Sequence, residues 1–278
     1  MSDLLLRRNT RFLIRRPGLV LAAAVIVFVL LAAVTPDLFT GYDPISGVPA
    51  ERLHGPSAAH LFGTDETGRD VFSRVVHGAS LSLRATVIAV LVALVAGSAL
   101  GLVAGFRGGW LDSVIMRVVD VLQAVPAILL SLALVTALGF GTTNVAIAVG
   151  IANLAAFARL MRAEVLRVRT AVFVEAARAS GVRWRGVLGR HVLPNAMGPV
   201  LVLATLTFGT AVLEVSALSF LGFGAPPPTP EWGALVAGGR NFLATAWWMT
   251  TFPGLTVAAV VLATNRLSRA FDGERSER

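Results

Sequence analysis

Residues 81–105 read LSLRATVIAVLVALVAGSALGLVAG, and their composition decides the class of fold. A helix crossing a bilayer needs about 20 mostly apolar residues, and this stretch supplies them. Gly97, Gly101 and Gly105 recur every four residues on one helical face. That spacing predicts close approach of a second helix, as in small-xxx-small packing. The rest of the 278-residue chain has the same character: 55% is hydrophobic, 14% is charged and the mean hydropathy is +0.75. Such a composition is too apolar for a soluble domain of this size, so the expected class is an all-α polytopic membrane protein.

Working outward, five further apolar runs stand out: about Leu19 to Val34, Val114 to Leu138, Thr143 to Leu160, Val200 to Phe220 and Leu243 to Thr264. With residues 81–105 they predict six transmembrane helices, an N-terminal anchor span followed by a five-helix core. The expected organisation is a cytoplasmic N-terminus (1–18), a first span (19–35), an extracytoplasmic segment (36–80), a core (81–264) and a cytoplasmic tail (265–278). Within the core, a polar loop covers about 161–199. The first span has the basic lead of a signal peptide, but Ala32-Ala33-Val34-Thr35-Pro36 is a mediocre cleavage site, which favours a retained anchor. The segment 36–80 is rich in turn residues and too short for its own core, so it is expected to pack on the outer surface.

Arginine placement sets the orientation. Arg7, Arg8, Arg11, Arg15 and Arg16 precede the first span, Arg107 and Arg117 flank the turn after the second, and eight arginines surround the 161–199 loop. Arg266, Arg269, Arg275 and Arg278 follow the last. Six crossings place all of these on one side, so both termini and the loop are expected in the cytoplasm. The net charge of +8 therefore reads as topology, not as a nucleic-acid footprint.

Several chemistries are excluded. The chain has no cysteine and no lysine. It cannot carry a Walker A lysine or form a lysine Schiff base. His54, His60, His77 and His191 lack metal-ligand spacing, with His60 and His77 read as solvated loop residues, and no nucleophile elbow is present. No catalytic residue, cofactor or metal site is expected in this chain.

The loop between the fourth and fifth spans is more informative. Ala171 to Ser180 reads as one helix, with Gly181 placed for a left-handed C-cap. Val182 to Val192 reads as a second helical stretch, and Pro194 as the end of the cytoplasmic part. Small Ala176, Ala177 and Ala179 leave a low surface that another protein can approach, and Glu175 offers a charged anchor. The residues alone leave two readings open: a docking site for a soluble partner, or a helix lying on anionic headgroups.

Glu175-Ala176-Ala177, three residues, Gly181, nine residues, then His191-Val192-Leu193-Pro194 resembles the EAA loop of bacterial ABC-importer permeases. His60-Leu61-Phe62-Gly63-Thr64-Asp65-Glu66-Thr67-Gly68-Arg69-Asp70 is similar to the C-type permeases of dipeptide, oligopeptide and nickel importers. So is Leu213 to Gly224 with Pro226-Pro227-Pro228-Thr229-Pro230-Glu231-Trp232-Gly233, and so are Asp112, Met116-Arg117, Asp120 and Pro126. Val215 departs from the small residue common in that group. The resemblance implies a multi-pass permease subunit in the bacterial cell membrane. Its partners would be a homologous second permease, two cytoplasmic ATPases that hold the ATP and Mg, and an extracytoplasmic substrate-binding protein. Glu175, Ala176, Ala177 and Gly181 would contact the ATPase. The implied cargo is a dipeptide or oligopeptide, with nickel chelates or glutathione as alternatives.

Glu214 lies within the fifth span, where a carboxylate is costly. It is a candidate for the substrate path, or a tie between helices. Asp120 and Arg117 read as an interfacial pair, Trp247-Trp248 as an outer belt, and Pro126 as a kink. An ion-coupled secondary transporter would require intramembrane ionisable pairs and inverted repeats; Glu214 is the clear candidate and no repeat is evident.

Overall fold

The computed structural model describes residues 17–276. The five N-terminal arginines, most of the expected segment 1–18 and Arg278 lie outside the described residues. Among the described residues nine helices carry the fold: α1 (Pro17–Val34), α2 (Val71–Arg107), α3 (Gly109–Ala124), α4 (Ala127–Leu138), α5 (Thr142–Arg169), α6 (Val172–Ala179), α7 (Trp184–Phe220), α8 (Trp232–Gly239) and α9 (Trp248–Ser276). Among the described residues there is no strand, only a bridge between Thr64 and Asp70. The chain is an all-α polytopic membrane protein.

By length and apolarity α1, α2, α5 and α7 can each cross a bilayer. The third expected span is two helices, α3 and α4, bent by 97°. Pro126 explains the bend: it removes a helical N–H and disfavours helical backbone at Val125, which is extended (φ −100°, ψ 133°). The sixth expected span falls in α9, which starts at Trp248, five residues later than Leu243. Four crossings, or five with the bent pair, follow from these lengths.

Two compact units make up the described chain. The first holds residues up to 85, 140–142 and those from 208 onward. Here α1 packs along α9, and Val29, Ala32, Val71, Val75, Trp232, Trp248 and Val260 share one apolar cluster. The segment 36–70 is ordered around buried Asp65. Its carboxylate accepts hydrogen bonds from the Thr67 amide and hydroxyl, the Arg69 amide and Nε, and Arg74 Nη1 (2.7 Å). Asp70 caps α2 by accepting the Ser73 amide at 2.6 Å, which explains why α2 begins ten residues before the expected span.

Two expectations are corrected here. His60 is buried, with Nδ1 2.9 Å from Asp70 Oδ2, and is not a solvated loop residue. Trp248 is also buried, its indole N–H donating to the Thr64 carbonyl at 3.0 Å, so of that pair Trp247 is the exposed member.

The second unit holds residues 86–139 and 143–207. The glycine face expected on α2 meets α5 directly. A Cβ at Gly97 would lie 2.5 Å from the Leu154 carbonyl oxygen, and one at Gly105 would lie 2.9 Å from that of Arg162. At Gly101 it would fall inside contact distance of the Ala158 carbonyl. Polar ties complete the unit. Arg162 forks onto Asp112 (2.5 and 2.6 Å), Arg169 Nη1 donates to the Gly105 carbonyl (2.7 Å), and Arg159 pairs with Asp120 (2.6 Å). Asp120 therefore pairs with Arg159 on α5, not with the expected Arg117.

Two stability tests follow. Gly101→Ala should cost about 1–3 kcal/mol through backbone overpacking, whereas Gly254→Ala, inside α9 with nothing within 4 Å of the new methyl, should be neutral or gain up to about 1 kcal/mol. Thermal melting in detergent compares the two.

Asp65 supplies a pH test. Burial pushes its pKa up, but hydrogen bonds from Arg69 and Thr67 outweigh this and leave it below the ordinary value. A depressed carboxylate stabilises above its unfolded pKa of about 3.9, and that stability is lost as pH falls through the folded value. Melting by tryptophan fluorescence should fall below about pH 4. Asp65→Asn should melt lower at pH 7 and lose part of that acid slope.

Candidate functional site

The loop after α5 is built from short-range rules. α5 ends at Arg169, and Ala171, in extended backbone, starts α6. Val174 and Ala177 are spaced by three and turn inward, where both are buried; Val174 is 0% exposed. Val174 joins Phe157, Met161, Val165 and Val168 of α5 and Val187, Val192, Ala196 and Val200 of α7 in one cluster. The helix is therefore seated on α5 and α7, even though α6 itself has only eight residues.

Gly181 closes α6 in the expected way. Its φ is +81°, its N–H donates to the Arg178 carbonyl (3.0 Å), and the Val182 N–H donates to the Ala177 carbonyl (3.1 Å). These two bonds form a Schellman motif, which needs a left-handed residue at that position.

The outer face carries Glu175 and Ala176, both exposed, with Gly181 exposed at its end. Ala177 is on the inner face beside Val174, so it seats the helix and does not present to solvent. The sequence reading missed Phe173 and Trp184 as surface residues. Val172 is 81% exposed, Phe173 47% and Trp184 54%; the first two stand on α6 within three residues of Glu175. The inward phase of Val174 and Ala177 is the signal that could have found Phe173. Trp184 is held from two sides, by Phe106 (ring centroids 6.4 Å apart) and by the Arg185 guanidinium 5.3 Å from its ring.

Pro194 does not end this region. α7 runs from Trp184 through Pro194 and Pro199 to Phe220. Val187–Val192 forms a wider π turn that closes with the Leu193 N–H on the Leu188 carbonyl. A proline ring collides with the carbonyl four residues back in a regular helix; the wider turn just before it gives that ring room. Glu214 sits half-buried in the last two turns of α7. Among the described residues, no group of three or more His, Asp or Glu side chains could hold a metal ion.

An apolar helical framework thus carries a seated, capped polar loop. The comparisons with known proteins specify it further. Residues 97–276 match the family described as binding-protein-dependent transport system inner membrane component, and the chain belongs to that family. It is 45% identical to a dipeptide transport system permease protein of Alkalihalophilus pseudofirmus, over 86% of this chain and 79% of that one. It is 40% identical to a glutathione transport system permease protein of Pectobacterium atrosepticum, over 92% and 85%. Two solved transporters share the fold. The MetNI methionine ABC transporter gives a TM-score of 0.53 at 20% identity, over 71% of this chain and 95% of that one. An amino acid ABC transporter crystallised with histidines gives 0.55 at 17%, over 72% and 94%. The chain is thus a transport subunit and not an enzyme.

The seat of α6 is testable. Val174→Ala should cost about 2 kcal/mol of local stability. Hydrogen exchange of the amides of residues 172–179 should then speed up more than tenfold, while Ala176→Ser on the outer face should leave it unchanged.

Proposed function

We propose that this chain is one of two permease subunits of an ATP-driven importer that moves dipeptides or oligopeptides into the cytoplasm. The outer face of α6 docks a separate ATPase. What carries this reading is the construction of α6: eight residues with Glu175, Ala176, Phe173 and Val172 exposed, and Val174 buried against both α5 and α7. A surface so seated transmits a push to the helices beneath it. ATP-driven closure of an ATPase pair on this face would bias a two-state arrangement of the membrane helices. Glu175, Ala176 and Gly181 form or border the contact, and Ala177 holds it in place.

In this reading the chain crosses the membrane six times, with α3 and α4 as one broken crossing and α9 as the last. Both termini lie in the cytoplasm, as the arginine distribution requires, and α1 is retained. The packing of α1 along α9 supports retention. An extracytoplasmic binding protein delivers the solute, and the path runs beside a homologous second permease. Glu214 is the candidate contact along it. The dipeptide relative supports a peptide cargo. The glutathione relative, at 40% identity, supports glutathione as the second reading, and nickel chelates remain the third.

The test is uptake of labelled dipeptide, pentapeptide and glutathione into proteoliposomes holding the whole complex, with and without internal ATP. Accumulation should require ATP; uptake driven by a proton gradient alone would overturn the proposal. In the same assay Gly181→Val, which forces a β-branched residue to positive φ, and Glu175→Arg should each lower uptake at least tenfold at normal membrane levels. Gly181→Asn, which tolerates the left-handed cap, should retain most of it. Full uptake by Gly181→Val and Glu175→Arg would remove the coupling role of α6.

A further inference from the structure

A cavity of about 90 Å³ lies in the first unit, between the start of α2, the loop 226–229, α8 and the start of α9. A single water needs roughly 10–15 Å³, so this space holds one small organic group. The cavity shares no residue with the coupling loop. Val71, Leu235 and Met249 give it apolar walls. Pro227, Thr229 and Gly238 also line it and are exposed, so it opens to the surface.

Its charged lining is Asp65, Glu66, Arg69 and Arg74. Asp65 is occupied by the hydrogen bonds described above. Arg74 has a side chain only 7% exposed; Nη1 donates to Asp65 Oδ2 (2.7 Å) and Nη2 to the Pro228 carbonyl (3.2 Å). Its Nε–H is buried and has no hydrogen-bond partner among the described residues. A buried donor left unpaired is costly, and folded proteins seldom keep one. Glu66, 34% exposed, accepts from Arg69 Nη2 at a long 3.4 Å and retains accepting capacity.

Charge decides the class of ligand. Two carboxylates already balance two guanidinium groups. A bound carboxylate would set one uncompensated negative charge against apolar walls, and a bound ammonium one positive charge. A neutral group that both accepts and donates avoids that cost. We infer that this cavity is a binding site for a primary amide on a short aliphatic stem. Its carbonyl is directed at the Arg74 guanidinium, its NH2 at Glu66, and its stem lies on the apolar walls. Two sources carry such a group: a free small amide, or an asparagine or glutamine side chain of an extracytoplasmic protein partner. The second source rests on the importer reading above; the site itself does not.

Propionamide and propionate, nearly equal in size, are the probes, read by saturation-transfer NMR on the full chain in nanodiscs. Propionamide should bind with about millimolar affinity, and propionate at least tenfold more weakly. Gly238→Leu fills the opening without a clash, since a Cβ there meets nothing within 4 Å. It should weaken propionamide binding at least tenfold at an unchanged melting temperature, and Gly238→Ala should preserve binding. Arg74→Lys, which keeps the charge beside Asp65 but lacks the Nε donor, should weaken it to the same degree. Equal binding of the two probes, no binding of propionamide, or binding indifferent to Gly238→Leu would each overturn the inference. The sources are separated in the whole complex. Displacement of propionamide by the extracytoplasmic binding protein assigns the site to a partner side chain; binding that persists at saturating binding protein assigns it to a free amide. Failure of ATP-driven uptake would end the importer reading and leave the amide site, read on this chain alone, standing.

Discussion

The structure depends on backbone-to-backbone approach between α2 and α5. Within lipid, apolar surface gains little by leaving its surroundings, because acyl chains are as apolar as leucine. Helices must instead associate through close packing and polar ties. Gly97, Gly101 and Gly105 let the α2 backbone reach the carbonyls of Leu154, Ala158 and Arg162 on α5. Larger residues there would hold the helices apart and weaken every contact that α5 makes elsewhere. Arg162, Arg159 and Arg169 then tie α5 to Asp112, Asp120 and the Gly105 carbonyl. The arginines read from the sequence as topology signals thus also bind its helices together.

α6 inherits its position from that contact. Helices this short are unstable alone, since nucleation is costly and few bonds follow. Its stability comes from Val174 in the cluster between α5 and α7 and from the Gly181 cap. A loosely tethered helix would absorb a push by bending at its ends. One seated by a fully buried valine and closed by two cap bonds moves with its neighbours. This is the property a coupling element needs, and it follows from packing before any partner is considered.

Local signals were the legible part of the sequence. The four-residue glycine spacing, the kink at Pro126 and the left-handed cap at Gly181 each follow from the stereochemistry of glycine or proline; the first and third are found where expected, and the kink is a full break into two helices. Features set by distant partners were not legible. Asp120 finds Arg159 across 39 positions, and Trp248 finds Thr64 across 184; nothing in the local pattern around either names the partner. His60 read as a loop residue because turns surround it, yet Asp70 and the neighbouring turns bury it. Pro194 read as a stop because the widened turn at 187–192 has no reliable sequence mark. At the candidate site, Glu175, Ala176 and Gly181 were legible through their motif, but the inward phase of Ala177 and the exposure of Phe173 and Trp184 required the seat of α6 to be known.

The two irregular places in the second unit are handled differently by the same constraint. At Pro194 the helix keeps its course, because a widened turn makes room for the ring and α7 continues to Phe220. At Pro126 it does not: Val125 turns extended and the axis bends by 97°. A regular helix would have hidden its backbone from lipid in both places. Where the chain retains a break, the exposed residues 123–126 and the half-exposed Asp120–Arg159 pair one turn away belong against water, headgroups or protein and not against acyl chains.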